Sequence, residues 1–550
     1  MTFLLVLLLF LAGPSKYVAA FSTSPSALTT PARTVTVTTK KSSKYVSVAC
    51  SLSGGATTAI ASSDDTDSQI FHQAALVGTV TAAMGYVYGR VLDATVRGVW
   101  TKLPSLLAAS SCSTLANLGG SSRYILFTMS LGGLLMGILS SKLKPSYIVA
   151  EFVSALSGEK GGNTLPKLLP VLPNLLILSL VTSTFGFSVG PEAPMVCAGG
   201  LIGAEMARRW DNTDGCDGSD DDNAARKKEI LTYAGAAGSL TAFMGIPLAG
   251  PIFALELTRA SSGMSPAAND ALGPAVVASA AALLLIRGLL KGSSLVGGHF
   301  SYGPVEALSG RAAMATSLLC GVGGAVLGTC FHKFVHILKD IFWKQVPSNN
   351  NETKYSTSFL NREVVIKTIV GVSVGLLSMM YPQTMFWGEG SLQCVVDGHK
   401  TPFAVTKHGL SNALTGSALV DPSVSFQSAS AAAQVGLAKL LSISLACAGK
   451  FPGGIIFPLF FAAAPIAHSA LMSLSSHLST HVAPTVIMGL MAATQASVTR
   501  TPLATIFMLA LSAAPTTPLS AMLPSVILSS YIGVWFSRYL SRDSYFDYSS

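Results

Sequence analysis

The chain has 550 residues, of which 35 are Lys or Arg and 26 are Asp or Glu. That charged share of 11%, against about 25% for a soluble domain, is too small to cover a soluble surface, and a 50% hydrophobic content excludes a disordered or fibrous chain. The net charge of +9 comes from basic residues scattered at loop edges and in the N-terminal tail, without interleaved aromatics, so no nucleic-acid partner is expected; the composition is that of a protein crossing the lipid bilayer many times.

In chain order, residues 3–12 (FLLVLLLFLA) form a short apolar core followed by Gly13-Pro14 and Val18-Ala19-Ala20. This reads as a signal peptide over 1–20. Residues 21–69 are rich in Ser, Thr and Ala, carry Arg33, Lys40, Lys41 and Lys44, and hold no acid before Asp64, the composition of an organelle transit segment. Signal plus transit segment resembles the bipartite leader of proteins sent to secondary plastids of red-algal type. A plastid membrane, thylakoid or envelope, is therefore the expected location, with an ordinary secretory signal and an endomembrane location as the alternative.

From about residue 70, apolar runs alternate with short polar breaks. Several runs fall below the roughly 20 residues needed to cross about 30 Å of hydrocarbon, and Gly or Pro interrupts them. Broken helices are tolerated in a membrane where protein or a water-filled cavity satisfies the loose backbone. Gly78–Trp100 aligns without gaps on Gly321–Trp343, so that Gly78/Gly321, Gly85/Gly328, Tyr88/Phe331, Arg90/Lys333 and Trp100/Trp343 coincide. PLAGPIFAL at 247–255 is echoed by PLATIFML at 502–509. Two echoes in the same order imply duplicated halves, over 70–300 and 301–545, and duplicated halves with interrupted helices are the architecture of transporters and channels. The repeat itself does not say whether the halves are inverted.

The first chemically loaded break is GFSVGPEAPMVCAGG at 186–200, where Glu192 stands between Pro191 and Pro194 just before a helical run. An acid inside a membrane segment costs roughly 2.5–3.5 kcal/mol even on lenient scales, so it faces a pathway or a partner. A helix N-terminus attracts anions through free N–H groups and its share of the macrodipole. A carboxylate tethered there competes with any permeating anion, and its protonation frees the site. Further on, 211–223 (DNTDGCDGSDDDN) is a solvated acidic loop without EF-hand spacing, and 351–353 is an Asn-Glu-Thr sequon. The eight Cys and nine His show no metal spacing. Ser188 in GFSVG has no oriented His–acid set, so no enzyme, metal or cofactor is expected. The second break is GKFPGGIIFP at 449–458, where Gly453 and Gly454 free the backbone and Ile455 and Ile456 begin a new helix. Backbone amides hold a monovalent anion loosely enough for it to leave.

GPEAP around Glu192 resembles the G-x-E-x-P gate motif of the CLC chloride channels and transporters, and GGIIFP resembles their G-x-F-x-P anion-binding motif. The resemblance extends over about 70–545. It implies an all-α multi-pass membrane protein of two inverted-topology repeats, whose broken helices meet at mid-membrane, and a homodimer with a pore in each subunit. It also implies Glu192 as gate, Ile455 and Ile456 as anion-binding amides, and Gly190, Pro194, Gly453, Gly454 and Pro458 as the motif backbone. Counted without gaps from Pro524, Tyr545 falls where the family places the tyrosine that contacts the central anion.

Four departures from the family pattern stand out. The first family motif, G-S-G-I-P, has Pro145-Ser146-Tyr147-Ile148 as its nearest match, making Ser146 the candidate ligand there. Pro191 removes one N–H from the outer anion site, and Ile456 replaces a bulkier Phe. An ungapped count from Pro247 puts Arg226 at the inner glutamate position of proton-coupled members, with Glu229 a turn further on as the possible relay. A permanent cation cannot relay protons. The expected function is a voltage- or pH-gated channel for chloride or a similar monovalent anion, the alternative being an antiporter exchanging chloride or nitrate for protons.

Overall fold

A computed structural model of the chain describes residues 56–110, 123–143, 151–153, 165–213, 221–262, 266–289, 300–302, 305, 308–344, 356–388, 392–398, 426–474, 482–513, 517–541 and 545. Its contacts divide the chain into Met1–Gln69 and Ile70–Ser550. In the first unit the described residues, 56–69, are helical; the expected signal and transit segments otherwise lie outside the described residues, as do the sequon and most of the acidic loop.

In the second unit the described residues are mainly helical. The helices that matter below are α1 (Ala56–Arg97), α2 (Arg123–Lys142), α3 (Leu168–Thr184), α4 (Glu192–Thr213), α5 (Asp221–Met244), α6 (Ala249–Ser262) and α7 (Leu272–Leu283), then α8 (Gly310–Trp343), α9 (Ser356–Met380), α10 (Ala429–Ala448), α11 (Ile456–Ser473), α12 (Ala483–Thr499), α13 (Pro502–Ser512) and α14 (Leu519–Leu540). Among the described residues, seven helical stretches are long and apolar enough to span a membrane, and shorter apolar helices lie between them. Leu319 at 71% exposure and Trp535 at 71% are large apolar groups turned outward, as a lipid-facing surface requires. Among the described residues, β pairing is confined to isolated bridges.

The two sets of helices repeat one another in packing as well as in sequence. In the first, α4 packs on α5, α5 on α6 and α7, and α3 on α2 and α4; in the second, α11 packs on α12, α12 on α13 and α14, and α10 on α9 and α11. Residues matched by the duplication do the same work in each half. A Cβ on Gly78 of α1 would stand 2.6 Å from the carbonyl carbon of Ala278 in α7, and one on Gly321 of α8 would stand 2.5 Å from Ile532 in α14. Small residues let these backbones approach where apolar lipid offers no hydrophobic drive. Trp100 donates its indole N–H to the Thr184 carbonyl, 2.6 Å, at the end of α3. Trp343 donates to the Ala448 carbonyl, 2.8 Å, at the end of α10. Each indole satisfies a carbonyl that its helix leaves without an intrahelical donor.

Pairs that exchange places under this correspondence meet each other. Helix α2 packs on α9 and α6 on α13. Phe187 lies against Phe451 with ring centroids 4.4 Å apart, and Gly190 pairs with Gly454 in an antiparallel bridge. Equivalent residues touching head to head define a pseudo-twofold axis, as the expected inverted-repeat fold requires. The axis runs between the two helix breaks. Glu256 on α6 shows the same logic: its carboxylate accepts from the amides of Leu503, 3.1 Å, and Ala504, 2.7 Å, at the start of α13.

Candidate functional site

Helix α3 ends at Thr184, and the chain turns through Gly186, whose φ of +84° is open to glycine. It then bends at Ser188 and reaches the bridge at Gly190 before Glu192 opens α4. In the other half, α10 ends at Ala448, Lys450 takes the left-handed conformation with φ +55°, and α11 opens at Ile456 with Ile455 as its cap and no side chain capping it. Aligned on these turns, GFSVGPEAP (186–194) and KFPGGIIFP (450–458) share Phe, Gly and Pro at the same places. The two breaks are copies of one loop.

They are tied directly. The amide of Gly190 donates to the Gly454 carbonyl at 2.9 Å, and the amide of Gly454 donates back to Gly190 at 2.5 Å. Glu192 is fully buried, and its carboxylate folds into the space that these glycines leave. A Cβ on Gly190 would stand 2.6 Å from the carboxyl carbon, and one on Gly454 would overlap Oε2. Neither glycine has a positive φ, so both are needed for room. Gly453 similarly makes room for Val189, 2.5 Å from its would-be Cβ.

Neither carboxylate oxygen of Glu192 closes a hydrogen bond within the protein. The amides acting on it are its own and that of Phe457, in the first turn of α11. Ile455 and Ile456 are buried, at 4% and 3% exposure. Their amides and that of Phe457 belong to the helix positions that have no intrahelical acceptor, and Pro458 contributes no N–H. The arrangement sets the N-terminus of α11 beside a carboxylate at the start of α4. It can hold one negative charge at a time, the carboxylate or a free anion.

Gly190, Glu192, Gly453 and Gly454 are thus in contact, with Ile455, Ile456 and Pro458 continuing into α11 and Pro194 into α4. Tyr545 is stacked on Phe331 of α8 at 6.0 Å, with Lys339 5.8 Å over its ring and its hydroxyl bonded to Cys447, two residues before the second break. Ser146 lies outside the described residues. Glu229 is half-buried on α5, in electrostatic reach of Tyr233, whose hydroxyl donates to Thr258 at 3.0 Å. Arg226 is exposed and paired with Asp270 at 2.5 Å. Ser188 is occupied structurally: its hydroxyl donates to the Thr384 carbonyl and shares a 2.6 Å hydrogen bond with Ser442.

Two contributors escaped sequence reasoning. The meeting of the breaks was expected from the resemblance, but that they are copies of one loop was hidden because GFSVG and KFPGG share few side chains and only the turn geometry aligns them. Lys439 was missed although it is the lone charge in the apolar run 430–448, which is itself the signal of an intramembrane functional group.

Inverted halves whose broken helices meet around a buried carboxylate define the broken-helix class of multi-pass membrane proteins. The chain belongs to one family of that class, the voltage gated chloride channels, whose sequence pattern matches residues 132–538. It is similar to the H(+)/Cl(−) exchange transporter ClcA of Yersinia pestis, 23% identical over 348 residues, 61% of this chain and 63% of the relative. It is also similar to a chloride/fluoride channel protein of Pseudomonas syringae, 27% identical over 179 residues, 31% of this chain and 34% of the relative. The chain therefore spans less than two thirds of the length of these curated relatives. A slow cyanobacterial Cl−/H+ antiporter shares the fold, with a TM-score of 0.62 at 16% identity over 87% of this chain and 96% of that one.

Proposed function

We propose that this protein moves chloride, or a monovalent anion of similar size, across a membrane past Glu192. The observation that carries this reading is the Gly190–Gly454 bridge, which seats the Glu192 carboxylate at the open N-terminus of α11. Anion entry requires the carboxylate to leave, so voltage or protonation that moves it gates the path. Ile455 and Ile456 supply the amides that the anion meets, Tyr545 and Ser146 flank its inner route, and each subunit of a homodimer holds its own path.

Two versions of this transport differ in what happens to protons. Channel conduction is supported by Arg226, exposed and ion-paired to Asp270 at the position expected for an inner acid. Antiport is supported by the half-buried Glu229 one turn along α5 and by the relatives named as H(+)/Cl(−) exchangers. Reconstitution in liposomes, with chloride and nitrate flux followed with and without a pH gradient, decides between them. A channel gives a reversal potential unmoved by the proton gradient, and an antiporter does not. Absence of anion flux under every gradient refutes the proposal as a whole. The leader over 1–69 is proposed to direct the chain to a plastid membrane, which fusion of those residues to a fluorescent reporter tests.

A further inference from the structure

His332 and His336 stand one turn apart on α8, and the transport reading uses neither. His332 is 6% exposed and His336 is half-buried. Their rings cross at 90° with centroids 4.3 Å apart, and the two Nε2 atoms face each other at 2.6 Å. A neutral imidazole has one N–H and one acceptor nitrogen, so across this gap one ring donates and the other accepts. If the donor ring carries its proton on Nδ1 instead, both Nε2 lone pairs aim at one point. That is the bidentate arrangement of a transition-metal site. Zinc–imidazole bonds of about 2.0–2.1 Å at a tetrahedral angle hold two nitrogens about 3.3 Å apart, so the rings must part by roughly 0.7 Å. A small side-chain rotation at the half-buried His336 supplies that movement. In sequence, two His separated by three residues are too short a pattern to signal a metal; the convergence of the rings is what the structure adds.

Two observations argue against a pair that serves packing alone. Under the duplication, His332 and His336 correspond to Gly89 and Asp93 of α1. Helix α1 nevertheless makes the matching close approach through Gly78 and the matching indole contact through Trp100, so that packing does not need imidazoles. The pair also lies where an ion can arrive. With 34 residues, α8 exceeds the roughly 20 that cross the hydrocarbon, and Lys333, Asp340 and Lys344 are exposed along and just beyond its last turns. Of the nearby charges, Lys339 has its Nζ over the Tyr545 ring, and Asp340, one turn beyond His336, supplies a negative charge.

We infer that the Nε2 atoms of His332 and His336 form a binding site for a borderline divalent transition-metal ion of the zinc class. Imidazole suits such ions, whereas hard cations such as Mg2+ prefer oxygen. Among the described residues no third His, Cys, Asp or Glu joins the pair. Water therefore completes the coordination, as in open zinc sites, and the ion exchanges. The inference does not depend on the anion path.

The test is calorimetric titration of Zn2+ into the purified full-length protein after treatment with a chelator. Wild type should bind one Zn2+ that His336→Ala loses. The affinity at this site should fall by about 100-fold or more, because a lone imidazole lacks the effective concentration of a chelate. Mg2+ should not compete. Cu2+, which the same ligands hold more tightly, should at substoichiometric loading give an electron paramagnetic resonance spectrum with coupling to two nitrogens. That measurement needs no variant, so it still decides the matter if His336→Ala does not fold. Equal Zn2+ binding by wild type and His336→Ala overturns the inference, as does displacement by an equal concentration of Mg2+ or a copper spectrum with fewer than two nitrogen ligands.

Discussion

Replacing Gly190 by alanine perturbs the proposed gate and little else. The three atoms nearest to the added methyl all belong to the Glu192 carboxylate, with its carbon 2.6 Å away, whereas carbon atoms pack at about 3.5–4.0 Å. The carboxylate must therefore shift by about 1 Å or swing out. The Gly190 backbone has no positive φ, so alanine can adopt it, and both hydrogen bonds to Gly454 involve main chain that the substitution keeps. Overpacking of this degree costs roughly 1–3 kcal/mol, charged to the docked state alone. That range corresponds to about a 5- to 150-fold shift toward the undocked carboxylate. Chloride efflux from liposomes at fixed pH reads the shift: Gly190→Ala should raise flux and weaken its dependence on pH or voltage. In a double-mutant cycle with Glu192→Ala, the alanine at 190 should add nothing, because the group it displaces is gone. A Gly190→Ala protein with lower flux and unchanged gating, or effects that simply add in the cycle, would refute the placement of the gate.

Further expectations follow from single contacts. Glu192→Ala should remove gating while leaving anion flux, measured as current against pH and voltage, and retained gating counts against the proposal. Tyr545→Phe loses the hydroxyl bonded to Cys447 and should change anion affinity by less than about tenfold, since one neutral hydrogen bond is worth about 0.5–1.5 kcal/mol. Trp100→Phe and Trp343→Phe each strip the indole donor from a helix-end carbonyl; both should destabilise by roughly 1–3 kcal/mol, seen as lower melting temperatures of comparable size. Glu229→Gln should abolish any proton coupling without stopping anion flux, and coupling that survives it removes Glu229 as a relay.

How far the sequence could be read differs from residue to residue for physical reasons. The duplication was legible because Gly78/Gly321 and Trp100/Trp343 are constrained in each half, the glycines by close packing against a facing helix and the indoles by a helix-end carbonyl. Glu192 stood out because an acid in an apolar, proline-flanked break has few structural uses. Inversion was not legible from the repeat, since the same residue pattern serves a parallel or an antiparallel pair; family resemblance supplied it, and the Gly190–Gly454 bridge adds the twofold pairing that such halves require. Lys439 carried a signal that went unused. Its partners are main-chain carbonyls of residues 384–386, more than fifty positions away, and carbonyls have no letter in a sequence.

The duplication also accounts for why the site lies where it does. A single broken helix leaves one N-terminus inside the membrane, with unpaired amides that lipid cannot satisfy. Two inverted copies bring two such ends together on the axis, where the strands before them can pair with each other, as Gly190 and Gly454 do. That pairing removes part of the cost but leaves the helix-start amides of both copies unspent. Two positive ends facing one another call for a negative charge between them. Sequence divergence between the copies then supplies an answer from one side only: Glu192 at the start of α4, and Ile456, apolar and uncharged, at the matching place of α11. Had both copies kept an acid, the two carboxylates would repel and exclude any free anion. Had neither, the site would be filled by whatever anion arrived, with nothing to close it. The prediction is that Ile456→Glu, an acid in each copy, should abolish anion binding at neutral pH, while Ile456→Gln should weaken it far less; a charged variant that still binds chloride as wild type would show that the two helix ends do not share one site.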